Sequence, residues 1–161
     1  MENGSFFCYR IKGFDIIITD NGSAISGLFF DRERAVGLKK AESPLIQKAA
    51  AQIKEYFEGS RKQFKLPIAM HGTEFQLAVW QALQKIPYGE TRSYKEIAAS
   101  IGRPKAVRAV GMANNRNPIS IIVPCPRVIG HNGKLVGYGG GLPLKQYLLD
   151  LERTLVFGGN P

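Results

Sequence analysis

Two prolines hold a cysteine between them in the stretch Pro124-Cys125-Pro126-Arg127-Val128. A proline fixes its own φ and biases the residue before it towards extended backbone, so Val123 and Cys125 are both restricted. Covalent transfer needs a nucleophile held in place, and a thiol in this setting is a candidate. Arg127 is a nearby cation of the kind that lowers a thiol pKa. Upstream, Ile119 to Val123 reads as an apolar strand, and Asn117-Pro118 reads as a turn whose amide can tie down loop backbone. The plain alternative is that Cys125 is a small, inert core residue. Cys8, the other cysteine, has no such neighbours and is expected as core filler.

The elements that must position this segment are well punctuated. Phe14 to Thr19 and Ser23 to Phe30 flank Asn21-Gly22, a hairpin signal. A helix follows, with Ser43 as its cap, Pro44 in its first turn and Gly59 as its stop. Ile46, Ala49, Ala50, Ile53, Tyr56 and Phe57 share one face at helical spacing. Residues 60–72 lack helical periodicity, and the domain boundary is expected there: an N-terminal α/β domain over 1–66, a linker over 67–71 and a second domain over 72–161. In the second domain, Thr73 to Gln76 is a capping box opening a helix to about Lys85, with Phe75, Val79 and Leu83 inward. Pro87-Tyr88-Gly89 is a turn. Ser93 to Glu96 is a second capping box, whose helix ends at Gly102. Pro104 is expected to start the next helix, running to about Ala113. Two short helices joined by a tight glycine turn form a helix-turn-helix pattern. His131-Asn132-Gly133-Lys134 adds a hairpin wing with His131 towards solvent, and Leu144, Tyr147, Leu148 and Leu151 mark a closing amphipathic helix. The fold class is therefore α+β.

Charge narrows the function. The net charge is +9, of which residues 72–161 carry +6. Within 92–134, eight basic residues (Arg92, Lys95, Arg103, Lys105, Arg108, Arg116, Arg127 and Lys134) stand against Glu96 alone. Such an excess is the footprint of a phosphate-binding surface, and Lys105 and Arg108 place it on the helix that would meet DNA. A solvated basic face without a ligand is the competing reading. No run of about eighteen apolar residues is present, so no transmembrane helix is expected. The first residues lack the pattern of a secretory signal. Two cysteines cannot build a disulfide framework, and no zinc-site spacing is present. A reducing, intracellular setting is expected, cytoplasmic or, in a eukaryote, nuclear.

At this point a resemblance is plain. Asn117 to Val128 (NPISIIVPCPRV) resembles the active-site strand of the O6-alkylguanine-DNA alkyltransferases. Gln52 to Leu66 is similar to that family's inter-domain helix, and Phe75 to Tyr94 and Arg108 to Gly111 to its DNA-binding helices. Gly137 to Gly141 and Leu148 to Glu152 resemble its closing loop and helix. The match covers roughly residues 45–153; the first forty residues match only in type. The resemblance implies a small ribonuclease H-like N-terminal domain and a C-terminal winged helix-turn-helix domain. It implies direct-reversal repair without a cofactor or metal: the alkyl group of a flipped O6-alkylguanine, and in some cases of O4-alkylthymine, moves once and irreversibly to Cys125. Tyr94, Asn117 and Glu152 would serve that chemistry. Ser93, Tyr94, Lys95, Lys105, Ala106, Val107, Arg108 and Arg127 would face the DNA, Arg108 filling the gap left by the flipped base. Val128, Tyr138 and Gly139 would form the pocket. The partner would be double-stranded DNA carrying O6-alkylguanine, bound by a monomer with no membrane contact.

One position departs from the family pattern. His usually follows the cysteine there, and here Pro126 does, which carries no side-chain base and no backbone N–H. Three readings follow: an alkyltransferase slowed by Pro126; a protein that binds O6-alkylguanine lesions without repairing them and passes them to nucleotide excision repair factors; and a plain winged-helix regulator. Relatives of the second kind generally lack the cysteine, which Cys125 retains. The third would need polar side chains to read bases, and Ala106, Val107 and Ala109 supply few.

Overall fold

The computed structural model describes residues 4–158. They form two compact units that divide between Met70 and His71.

In the first unit, strands β1 (Ser5–Ile11), β2 (Phe14–Asp20), β3 (Ile25–Phe29) and β4 (Lys39–Lys40) make one sheet in the order β3-β2-β1-β4. β1 and β2 are antiparallel, joined by Lys12-Gly13 with both φ values positive, as a two-residue hairpin turn requires. β1 has no clean alternation and was not anticipated; nor was β4, which pairs parallel to β1 through Ser5 and Phe6. The Asn21-Gly22 turn forms differently from the expected two-residue hairpin. Only Gly22 takes positive φ, and the Asn21 side chain instead accepts the N–H groups of Ser23 and Ala24, both at 2.9 Å. β2 is covered on both faces: Ile17 packs with Phe29 and Ala35, while Ile16 and Ile18 point to the opposite face by strand alternation.

Helix α1 (Pro44–Glu58) packs on this sheet with the anticipated face buried. Ser43 Oγ accepts the Ile46 N–H at 3.1 Å and donates to Asp20 Oδ2 at 2.6 Å. Gly59 ends the helix at φ 86°, a conformation that costs residues with a Cβ more than it costs glycine. The amide of buried Gln52 binds both the N–H and the C=O of Lys65 and so fixes the chain after the helix. Residues 67–69, expected as linker, belong to this unit instead: Ile25 donates its N–H to Pro67 O and accepts from Ala69 N. Backbone pairing to a sheet edge carries no side-chain pattern, so the composition of the segment did not show it.

The second unit holds α2 (Glu74–Gln84), β5 (Arg92–Ser93), α3 (Tyr94–Ser100), α4 (Val107–Asn115), β6 (Val128–Ile129) and α5 (Leu142–Arg153). Both capping boxes form reciprocally, at Thr73–Gln76 and at Ser93–Glu96. Val79 and Leu83 are fully buried, and Trp80 ties α2 to α4 through a 2.9 Å bond from its indole N–H to Ala113 O. Helix α4 begins at Val107, later than expected from Pro104. Arg103 to Ala106 is instead a turn closed by Ala106 N to Arg103 O at 2.9 Å, a position where proline is equally at home. The wing is a turn at Gly130–Lys134 rather than a two-stranded hairpin, and β5 pairs with β6 in parallel. Among the described residues no helix is long and apolar enough to cross a membrane.

Ser43 therefore carries two half-buried connections at once. Ser43→Ala should destabilise the protein by about 1–3 kcal/mol, the sum of a lost cap and a weakened buried carboxylate. Urea denaturation measures this; an unchanged midpoint would contradict the assignment.

Candidate active site

The segment before the cysteine is a compact turn, and this corrects the strand expected over Ile119–Val123. Asn117 causes it. The Asn117 side chain accepts the Ile119 N–H at 3.0 Å and donates to Val123 O at 2.8 Å, while Val123 N donates to Ile119 O at 2.9 Å. The chain closes on itself instead of pairing with a strand. Ile121 is driven to φ 73°, where a β-branched side chain is strained by about 1–3 kcal/mol. Cys125, expected as extended, opens a single 3₁₀ turn closed by Arg127 N to Pro124 O at 3.0 Å.

The turn aims polar groups at a buried sulfur. Cys125 is 3 % exposed. Ser120 Oγ lies 3.3 Å from Cys125 Sγ and 2.6 Å from the Tyr138 hydroxyl. Burial raises the thiol pKa. Hydrogen bonds from Ser120, Asn117 and the Ile121 N–H oppose it, as does the positive charge of Lys145. Burial likewise raises Tyr138 and Tyr94, and the thiolate of Cys125 pushes both in the same direction. Neither Ser120 nor Lys145 was anticipated. Ser120 is the one hydroxyl in an apolar run, and Lys145 is a cation on the buried face of α5, which are weak signals in sequence alone.

Lys145 and Tyr94 brace the segment that covers the site. Lys145 Nζ donates to Val128 O at 2.6 Å and Val136 O at 3.1 Å, and the Tyr94 hydroxyl donates to Val136 O at 3.3 Å. Burial pulls Lys145 down from 10.5 to about 8, opposed by the Cys125 thiolate. Val128 is fully buried, Tyr138 reaches the Ser120 hydroxyl, and Gly139 has open space where a side chain would stand. Asn114, at the end of α4, donates to Cys125 O at 3.5 Å.

Arg127 sits where it can neither activate the thiol nor touch a phosphate, contrary to both expectations. Its guanidinium is buried, bonded twice to Glu152 at 2.9 Å and once to Ile86 O at 2.7 Å, with the Tyr88 ring 5.6 Å away. Three of the five guanidinium N–H donors, one on each nitrogen, are taken by these buried acceptors, which turns the charge inward and away from a phosphate. Glu152, with the Gly89 N–H as a further donor at 2.9 Å, completes a knot between α5, the Pro87–Gly89 turn and the cysteine segment. Gly89 is required there: its φ is 84°, and a Cβ would come within 2.5 Å of Val156.

The remaining DNA-facing candidates lie on the surface. Lys95, Lys105, Val107 and Arg108 are exposed, and Ala106 precedes α4 with its side chain half-buried. Ser93 is occupied as the cap of α3, its Oγ accepting the Glu96 N–H at 3.0 Å. Among the described residues no group of three or more His, Cys, Asp or Glu could hold a metal ion.

Two outcomes follow from this geometry. Glu152→Ala leaves a buried arginine unpaired and should cost about 3–5 kcal/mol in urea denaturation; a loss below about 1 kcal/mol would contradict the buried pair. The thiol of Cys125 is held above its unfolded value of 9.0. Its neutral form therefore stabilises the fold fully below that value, and the contribution is lost as pH rises through the folded one. Alkylation of Cys125 by iodoacetamide, followed by mass spectrometry, should accelerate with pH through 9 without levelling; a plateau near neutrality would show an activated thiolate instead.

Comparison with known proteins gives the chain its relatives. Residues 74–154 match the model of the 6-O-methylguanine DNA methyltransferase DNA-binding domain, and residues 14–70 match that of the same family's ribonuclease-like domain. The methylated-DNA--protein-cysteine methyltransferase of Methanosarcina barkeri is 50% identical over 147 residues, covering 86% of this chain and 90% of the relative. The constitutive protein of that name from Bacillus subtilis is 49% identical, covering 86% and 89%. The crystal structure of Mycobacterium tuberculosis O6-methylguanine methyltransferase superposes with a TM-score of 0.85 at 42% identity, covering 94% of this chain and 93% of that one. A structure of the M. tuberculosis protein in complex with DNA superposes at 0.84, again at 42% identity and 93% of each chain. The chain belongs to the 6-O-methylguanine DNA methyltransferase family.

Proposed function

We propose that this protein reverses alkylation damage in DNA directly, moving the alkyl group of O6-alkylguanine onto Cys125. The observation that carries this reading is the buried thiol itself, held on a strained turn by Asn117 and met by Ser120 and Tyr138. A sulfur so enclosed cannot reach a base inside the duplex stack, so the substrate base must be flipped out and brought to it. Cys125 Sγ then attacks the carbon on O6. The S–C bond forms, the C–O6 bond breaks, and its electron pair leaves with guanine, which gains a proton. The thioether is stable, so each molecule acts once.

The other roles divide between the surface and the pocket. Arg108, Lys105, Lys95, Ala106 and Val107 lie on or beside the exposed start of α3 and α4 and suit a DNA backbone and the space of a displaced base. Tyr94 reaches the covering segment from the start of α3 and would orient the base together with Val128, Tyr138 and Gly139. Glu152 acts through Arg127, holding the cysteine segment rather than the proton. The second unit thus carries both DNA binding and transfer, and the protein works as a monomer on double-stranded DNA, in the cytoplasm or nucleus. Pro126 offers no base, and transfer is slower for it by up to about 10²- to 10⁴-fold, the usual worth of a general base.

Intact-protein mass after incubation with a duplex containing O6-methylguanine tests the reading. One methyl group should appear on Cys125, and none on a Cys125→Ser variant that still binds the duplex. Tight binding to the lesion with Cys125 unmodified after long incubation would replace transfer with lesion recognition alone.

A further inference from the structure

The reaction needs somewhere for the thiol proton to go, and Pro126 supplies no acceptor. A hydroxyl does. Ser120 is 5 % exposed, its Oγ is 3.3 Å from Cys125 Sγ, and the same atom is 2.6 Å from the Tyr138 hydroxyl. The three groups form a line of exchangeable protons leading from the sulfur to the segment that covers the site. Asn117 and the strained Ile121 place Ser120 in that line, and the Ile121 N–H leaves Sγ with a donor once its own proton has gone.

We propose that Ser120 is a catalytic residue of the alkyl transfer, a proton shuttle between the Cys125 thiol and the Tyr138 hydroxyl. The inference rests on the function proposed above. As the sulfur attacks the alkyl carbon, its proton passes to Ser120 Oγ. Ser120 releases its own proton to Tyr138 Oη, and Tyr138 gives its hydroxyl proton to the purine that departs with the electron pair of the broken C–O bond. Both hydroxyls end as they began, and the thiol proton is balanced by the proton on the product guanine. No further reactant is required.

The line suits the task chemically. A hydroxyl both donates and accepts, so it relays a proton without holding a charge. Burial keeps Tyr138 protonated and ready to donate. Among the described residues, the titratable groups facing the thiol are Tyr138 from the covering segment, Tyr94 from α3 and Lys145 from α5. Lys145 is directed at the carbonyls of Val128 and Val136, and Tyr94 at that of Val136. The hydroxyl line joins the sulfur, Ser120 and Tyr138 through contacts of 3.3 and 2.6 Å.

The test compares single-turnover transfer from free O6-benzylguanine in the parent, Ser120→Ala, Ser120→Thr, Tyr138→Phe and Ser120→Ala/Tyr138→Phe. Ser120→Ala removes one oxygen atom, and an unchanged melting temperature shows that the fold is kept. Transfer should slow about 10²-fold in Ser120→Ala and recover to within about tenfold of the parent in Ser120→Thr. Tyr138→Phe should slow it comparably, and the double variant no further, because two members of one relay are lost as a unit. The parent rate should fall in D₂O and that of Ser120→Ala should not. Parent-like transfer by Ser120→Ala, additive losses in the double variant, or an isotope effect that survives in Ser120→Ala would each overturn the shuttle. A parent that transfers nothing would instead overturn the function on which it rests.

Discussion

Asn117 makes two buried hydrogen bonds across five residues, to Ile119 N and Val123 O, and the position of the reactive sulfur depends on them. Backbone groups in this segment would ordinarily be satisfied by a neighbouring strand. One side-chain amide takes that place, which frees the segment to fold back on itself. The consequence is the positive φ of Ile121, a strain that persists only because the surrounding bonds and the burial of Ile119 and Val123 offset it. In exchange, the Ser120 hydroxyl and the Ile121 amide face a sulfur that a flat strand would have left beside apolar side chains.

The knot of Arg127, Glu152, Ile86 and Gly89 does for the far side of the cysteine what Asn117 does for the near side. A charge pair taken out of water stabilises little by itself, because desolvation cancels much of the attraction. Its value here is geometric. All three guanidinium nitrogens and the Gly89 N–H bond to buried acceptors, which ties α5, the turn after α2 and the 3₁₀ turn of Cys125 together. Lys145 extends the same logic to the covering segment by joining Val128 O and Val136 O. These three residues explain how a site made largely of loops holds a defined shape.

What was legible in the sequence was local. Ser43, Gly59, Thr73 with Gln76 and Ser93 with Glu96 act on backbone within a few residues, and each formed as its pattern indicates. The cysteine between prolines was legible for the same reason. Pro104 misled because proline serves a turn as well as a helix start, and Ile119–Val123 misled because apolar runs do not reveal a side chain that replaces a strand partner. Arg127 and Lys145 were opaque in another way. A cation reads as surface, and only distant groups, Glu152 for Arg127 and two carbonyls for Lys145, turn it inward. The edge strand β4 and the 67–69 pairing share this origin, since the partner lies far along the chain.

A buried, proton-bearing thiol looks ill suited to a nucleophile, yet it matches a protein that reacts once. A thiolate exposed at neutral pH would be consumed by any oxidant or electrophile that reached it, and a molecule so modified could not be recovered. Burial of Cys125 raises its pKa and so favours the neutral thiol. The opposing bonds from Ser120, Asn117 and Ile121 then lower the cost of the charge at the moment it forms, without requiring that charge beforehand. On the function proposed above, reactivity would be conditional on a base entering the pocket, and the same strained turn that encloses the sulfur would supply the groups that release it.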